Sequence, residues 1–147
     1  MQKVTIGTVL TVAVMGMVVS ALGVLVATRT ISNYGNVSAV GVGVYWDSSC
    51  TNMVLSIDWG ALEPGASVDK PIYVKNEGSL AVLLGMTTDN WSPESASSDI
   101  SLSWNRESYE LNSGSVIQAI LTLSVSSSVS EITSFSFDIV ITGTEYT

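Results

Sequence analysis

Hydrophobic residues follow two different periods along this chain. From Val4 to Thr28 the sequence runs for 25 residues without a charge, bounded by Lys3 and Arg29. A helix of that length rises about 37 Å at ~1.5 Å per residue, enough for a ~30 Å hydrocarbon core with some tilt. From Val37 onward the apolar positions recur at every second residue, the period of a strand with one buried face. Val40, Val42, Val44 and Trp46 form one such row, and Met53, Leu55 and Ile57 a second. Ile72 and Val74 belong to a strand over 68–76, and residues 80–88 read as a more fully apolar strand. Ile100, Leu102 and Trp104 share a face, as do Ile117, Ala119, Leu121, Leu123 and Val125. Phe135, Phe137, Ile139 and Ile141 form the last row, with Asp138 on the opposite face.

Turn chemistry separates these rows. Glu63-Pro64-Gly65 presets φ at proline and accepts positive φ at glycine; Asn76-Glu77-Gly78-Ser79 and Asn112-Ser113-Gly114-Ser115 mark two further reversals. Pro71 inside its strand requires an edge, a bulge or a missing ladder partner there. Residues 89–99 read as a polar loop. About seven strands without a helical period predict an all-β fold, a two-sheet antiparallel sandwich preceded by one N-terminal hydrophobic helix. The expected division is a signal-anchor helix at 1–29, a linker at 30–36 and one sandwich domain at 37–147, a size that closes a single core.

The apolar segment admits an uncleaved anchor, contacting the membrane through residues 4–28, or a signal removed near Ala21 or Ala27, where small or apolar residues sit at the −3 and −1 positions. Cleavage after Gly7, in the manner of a prepilin, lacks the basic residue expected before that glycine. Either main reading puts the N-terminus inside and the domain on the extracellular side of the cell membrane, or secreted. Two sequons agree with an outside location: Asn36-Val37-Ser38 and Asn90-Trp91-Ser92, which make Asn36 and Asn90 glycosylation candidates. Gly16, Ser20 and Gly23 share a helix face, either as ordinary signal composition or as a helix-packing stripe.

Charge narrows the partners. All 13 acidic residues lie beyond Arg29 with only Lys70, Lys75 and Arg106 to oppose them, so that part carries about −10. Phosphate neutralisation needs clustered bases, so no nucleic acid is expected as a partner, and anionic lipid headgroups are disfavoured. The chain has no His, which removes His-based acid–base catalysis and serine triads that use it. No glycine-rich loop opens a helix, no cofactor is implied, and no carboxylate pair stands out, so an enzyme is not expected. Asp89, Glu94 and Asp99 share one oxygen-rich loop and Asp47 and Asn52 another, which makes them calcium candidates without the spacing of a dedicated calcium loop. Trp46, Trp59 and Trp104 end strands whose other members look buried; Trp91, between Asn90 and Pro93, is either loop packing or a ligand contact, as a carbohydrate platform would use. The single Cys50 is a small hydrophobe or an interchain disulfide partner.

The stretch LEPGASVDKPIYVKNEGSLAVLL (62–84) resembles the L-x-P-G-x-S, strand, N-x-G signature of immunoglobulin-like modules on bacterial and archaeal surface proteins. NWSPESASSDISLSWN and LNSGSVIQAILTLSVS resemble the second half of small archaeal membrane-anchored proteins, and the whole is more weakly similar to TasA/camelysin-type filament proteins with a jelly-roll-like domain. The resemblance implies an immunoglobulin-like sandwich and turn chemistry, not an activity. The functional expectation is a non-enzymatic cell-surface structural or interaction protein held by its N-terminal helix, associating with itself or with neighbouring envelope proteins. Its alternatives are a filament subunit that donates residues 30–44 to the next copy, and a carbohydrate- or calcium-binding surface module.

Overall fold

The computed structural model describes residues 31–129 and 132–146; the apolar segment 4–28 and its cleavage sites lie outside them. Among the described residues nine strands follow one another: β1 (Ser32–Val40), β2 (Gly43–Tyr45), β3 (Ser56–Ile57), β4 (Ser67–Lys75), β5 (Val82–Ser92), β6 (Ile100–Trp104), β7 (Glu110–Leu111), β8 (Val116–Val125) and β9 (Ser134–Glu145). A 3-10 helix, Glu94–Ser98, sits between β5 and β6.

The odd-numbered strands form a five-stranded sheet in the order β3-β1-β9-β5-β7, and the even-numbered strands a four-stranded sheet in the order β2-β4-β8-β6. Each connection therefore crosses from one sheet to the other. No two consecutive strands are ladder neighbours, and the pairing is antiparallel throughout except at β1 and β9. Those two run parallel over nine residue pairs, from Ser32 opposite Ser134 to Val40 opposite Thr142.

The alternation rule holds best in the long strands. Ala119, Leu121, Leu123 and Val125 of β8 point inward and are buried, facing Phe135, Phe137, Ile139 and Ile141 of β9 across the core. Ile72 and Val74 of β4 add to the same layer. Pro71 lies opposite Ile120 of β8, where β2 has already ended on the other side of β4, so its missing N–H leaves no ladder bond unmade there.

Four boundaries differ from the sequence reading. The expected linker becomes strand from Ser32, its pattern masked by Asn33 and Asn36, which bond to Gly60 and Asp138 instead of filling the core. The single row from Val40 to Trp46 breaks at Gly41, whose φ of +81° turns the chain into the opposite sheet; Val40 is left 61% exposed, while Val42 and Val44 are buried. In the next row Met53 and Leu55 point outward and Val54, Ile57 and Trp59 inward. This segment leaves β2, where the Val54 N–H reaches the Val44 carbonyl, and joins β1, where the Leu55 carbonyl accepts from Val37, and that change of partner shifts its register. Finally, β5 continues to Ser92 through residues that read as loop, with an irregularity between Asp89 and Ser92.

Candidate functional site

The outer face of the five-stranded sheet gathers most of the residues singled out by the sequence. Asn36 of β1 lies directly opposite Asp138 of β9, and Asp89 of β5 lies opposite the same Asp138 on its other side. Two carboxylates facing across a ladder repel each other. The structure offsets this with donors. The Asn90 Nδ2 donates to one oxygen of Asp138 at 2.7 Å, the Asn36 Nδ2 approaches the other at 3.4 Å, and the Asn90 backbone N–H donates to Asp89 at 2.8 Å. Asn90 adopts φ +53°, a left-handed conformation that asparagine tolerates better than most residues, and it sits where the β5–β9 ladder is interrupted.

Trp91 points to the other side of β5. Its ring stacks on Phe137 with centroids 4.2 Å apart and planes 6° from parallel, and its indole N–H donates to Thr88 Oγ1 at 3.2 Å. Phe135 continues the stack, 6.1 Å from Trp91. One face of the indole is thus used by the core, as an offset aromatic pair, and a ligand would meet only what remains.

The calcium candidates are not assembled. Asp89 faces Asp138, Glu94 opens the 3-10 helix, and the Asp99 N–H closes that helix on the Ala96 carbonyl. Among the described residues no three acidic or thiol groups lie close enough to hold a metal ion. Asp47 is occupied locally: it accepts from the Thr51 hydroxyl and from the Thr51 and Asn52 backbone N–H groups. The Thr51 hydroxyl bond, followed by the Asn52 N–H, holds its carboxyl below the ordinary carboxylate range. Cys50, half-buried at φ +58° in the same turn, has its thiol pushed up by burial.

Two features were missed by sequence reasoning. Asp138 stood out only as an outward residue in an apolar row, yet it links β1, β9 and β5 through their side chains. The second is an apolar cleft of about 300 Å³ at the edge where the sheets meet, lined by Val37, Val42, Val44, Met53 and Leu55 and closed by Tyr45 and Glu77. The Tyr45 hydroxyl donates to the Glu77 carboxylate, and that bond, with burial, raises the phenol above its usual range. Nothing before folding announces this pair, because 32 residues separate its members.

No protein-family model matches the chain, and no curated protein matches it in sequence.

Proposed function

We propose that this chain is a non-enzymatic structural or interaction protein of the cell surface, anchored by segment 4–28 with its sandwich outside. The observation that carries the reading is the path of the chain into the sheet. Ile31 is fully buried and bonded to Leu62 in both directions, at 2.8 and 3.3 Å, and β1 begins at the next residue. Tension arriving through the N-terminus would therefore load nine parallel pairs along β9 together, in shear, instead of unravelling a loose linker. That is a sound attachment for a tethered domain. The acidic, Ser/Thr-rich exterior and the two sequons fit the same location.

The immunoglobulin-like likeness is one of architecture, two packed antiparallel-rich sheets. In immunoglobulin domains the last two strands share a sheet, whereas here β8 and β9 lie in opposite sheets.

Carbonate-washed membranes and protease treatment of intact cells test the assignment. The full chain should sediment with membranes and lose its sandwich to external protease. Recovery from the cytosol would overturn it. A mature N-terminus at Leu22 or Thr28 would overturn the anchor alone and leave the domain outside.

A second reading, the filament subunit, is favoured by how little β1 gives to the core. Among residues 31 and 33–40, only Ile31, Gly35 and Val37 are buried. A neighbour's copy of this strand can replace it, since the ladder supplies the bonds and few pockets must be matched. Deleting residues 30–40 should abolish polymers and leave a domain that binds a peptide of that sequence; unchanged assembly would exclude exchange.

A further inference from the structure

We infer that Asn36 and Asn90 are the attachment points of one N-glycan patch centred on Asp138, an inference that rests on the surface location proposed above. The two sequons lie 54 residues apart in the chain, yet their side-chain amides reach the two oxygens of one carboxylate. Their geometry is also the same. In each, the asparagine and the serine two residues on are exposed on the outer face, and the residue between them turns inward: Val37 is buried and Trp91 stacks on Phe137. Period-two alternation thus presents both reacting groups of each sequon to solvent while the middle residue fastens it to the core.

The chemistry needs a lipid-linked oligosaccharide phosphate as donor and a transferase of the cell surface. The asparagine amide nitrogen forms a bond to the anomeric carbon. The bond from that carbon to the phosphate oxygen breaks, the phosphate leaves with the electron pair, and the amide loses one proton to the transferase. No group is oxidised or reduced. Each amide keeps one N–H after transfer, enough to donate to Asp138, so the carboxylate can still bond both modified side chains. Two glycans rooted there would cover the face formed by β1, β9 and β5, leaving the four-stranded sheet and the sandwich edges for contact with neighbours.

Access differs between the sites. Asn90 sits at a break in its ladder, whereas Asn36 is paired on both sides, with Asp138 and with Ser56. Transfer to Asn36 therefore precedes the docking of β1.

Trypsin separates the two sequons, because it cuts after Arg29, Lys75 and Arg106 and is blocked at Lys70 by Pro71. Mass spectrometry of the full chain from its native envelope should find a saccharide mass on both peptides, 30–75 and 76–106. Ser38→Ala should remove the first and Ser92→Ala the second, each with an unchanged melting temperature, since both serines are exposed. External protease applied to the same cells reports location separately. A chain that is cut from outside but carries either peptide bare overturns the patch and leaves the surface assignment standing. A chain that is bare and never cut overturns both.

Discussion

Asn76 is fully buried and every polar atom it has is used. Its Nδ2 donates to the Leu80 and Leu111 carbonyls at 2.7 and 3.0 Å, its Oδ1 accepts from the Gly78 N–H at 3.0 Å, and its backbone bonds Ser115 and Gly114. Its side chain thereby ties the turn after β4 to the end of β7, and its backbone ties it to the turn before β8. Asn76→Ala would leave the buried Leu111 carbonyl and the half-buried bonds of the Leu80 carbonyl and Gly78 N–H without a partner, so a loss of about 1–3 kcal/mol is expected, read as a lower urea midpoint at unchanged slope. Asp47 makes a pH-dependent counterpart on the surface. Its folded-state carboxyl is depressed, so its contribution is complete above the unfolded value of about 3.9 and fades as the pH falls through the lower folded value. Amide exchange at Thr51 and Asn52, measured against the intrinsic rate at each pH, should accelerate over that acid window. In Asp47→Asn it should already be fast at neutral pH and show no such step.

At the scale of elements, the bend at Gly41 decides how β1 and β2 reach different sheets. A Cβ added there would lie 2.5 Å from the Gly143 carbonyl oxygen, on top of the strain of φ +81°. Gly60 has nearly the same φ, +80°, with open space where its Cβ would go. Gly41→Ala should therefore destabilise the fold clearly more than Gly60→Ala, which pays only for conformation, about 1 kcal/mol or somewhat more. Equal melting temperatures for the two variants would show that the Gly143 contact yields freely. The same bend explains what the sequence conceals. β8 and β9 are legible because each buries one face along most of its length, and β4 because its second half does, at Ile72 and Val74. Val40 to Val44 look like one continuous row because positive φ leaves no trace in hydrophobic spacing. Asp89 to Ser92 look like loop because their outward side chains are polar and their pairing is with β9, far along the chain. The convergence of Asn36 and Asn90 on Asp138 was unreadable for the same reason: the sequons were visible, but the partner strand that brings them together was not.

For the molecule as a whole, the alternation of strands between sheets means that among the described residues no ladder joins two consecutive strands, although a local turn after β2 bridges Tyr45 to Met53. Every ladder closes a loop containing at least one other strand, and the longest joins β1 to β9 across about a hundred residues. Loop-closure entropy is spent before such contacts return anything, so folding belongs in the slow, non-local class. During synthesis β1 emerges first and its main partner last. At roughly 5–20 residues per second, β1 waits on the order of 5–20 s for β9. Through that interval its partners on the outer side are β3, at Gly35 and Asn36, with the backbone bonds of Ile31 to Leu62 and of Val37 to Leu55. On the glycan and filament readings proposed above, that interval is the one in which a transferase would reach Asn36 and a neighbour's strand would compete for the place. Chains halted at Val129, before β9, should therefore show β1 cut by a brief protease pulse as fast as an unfolded peptide, while the full chain resists. Protection of β1 without β9 would mean that the four-stranded sheet and β3 hold it unaided, and would remove the interval on which both the early glycan transfer and strand exchange depend.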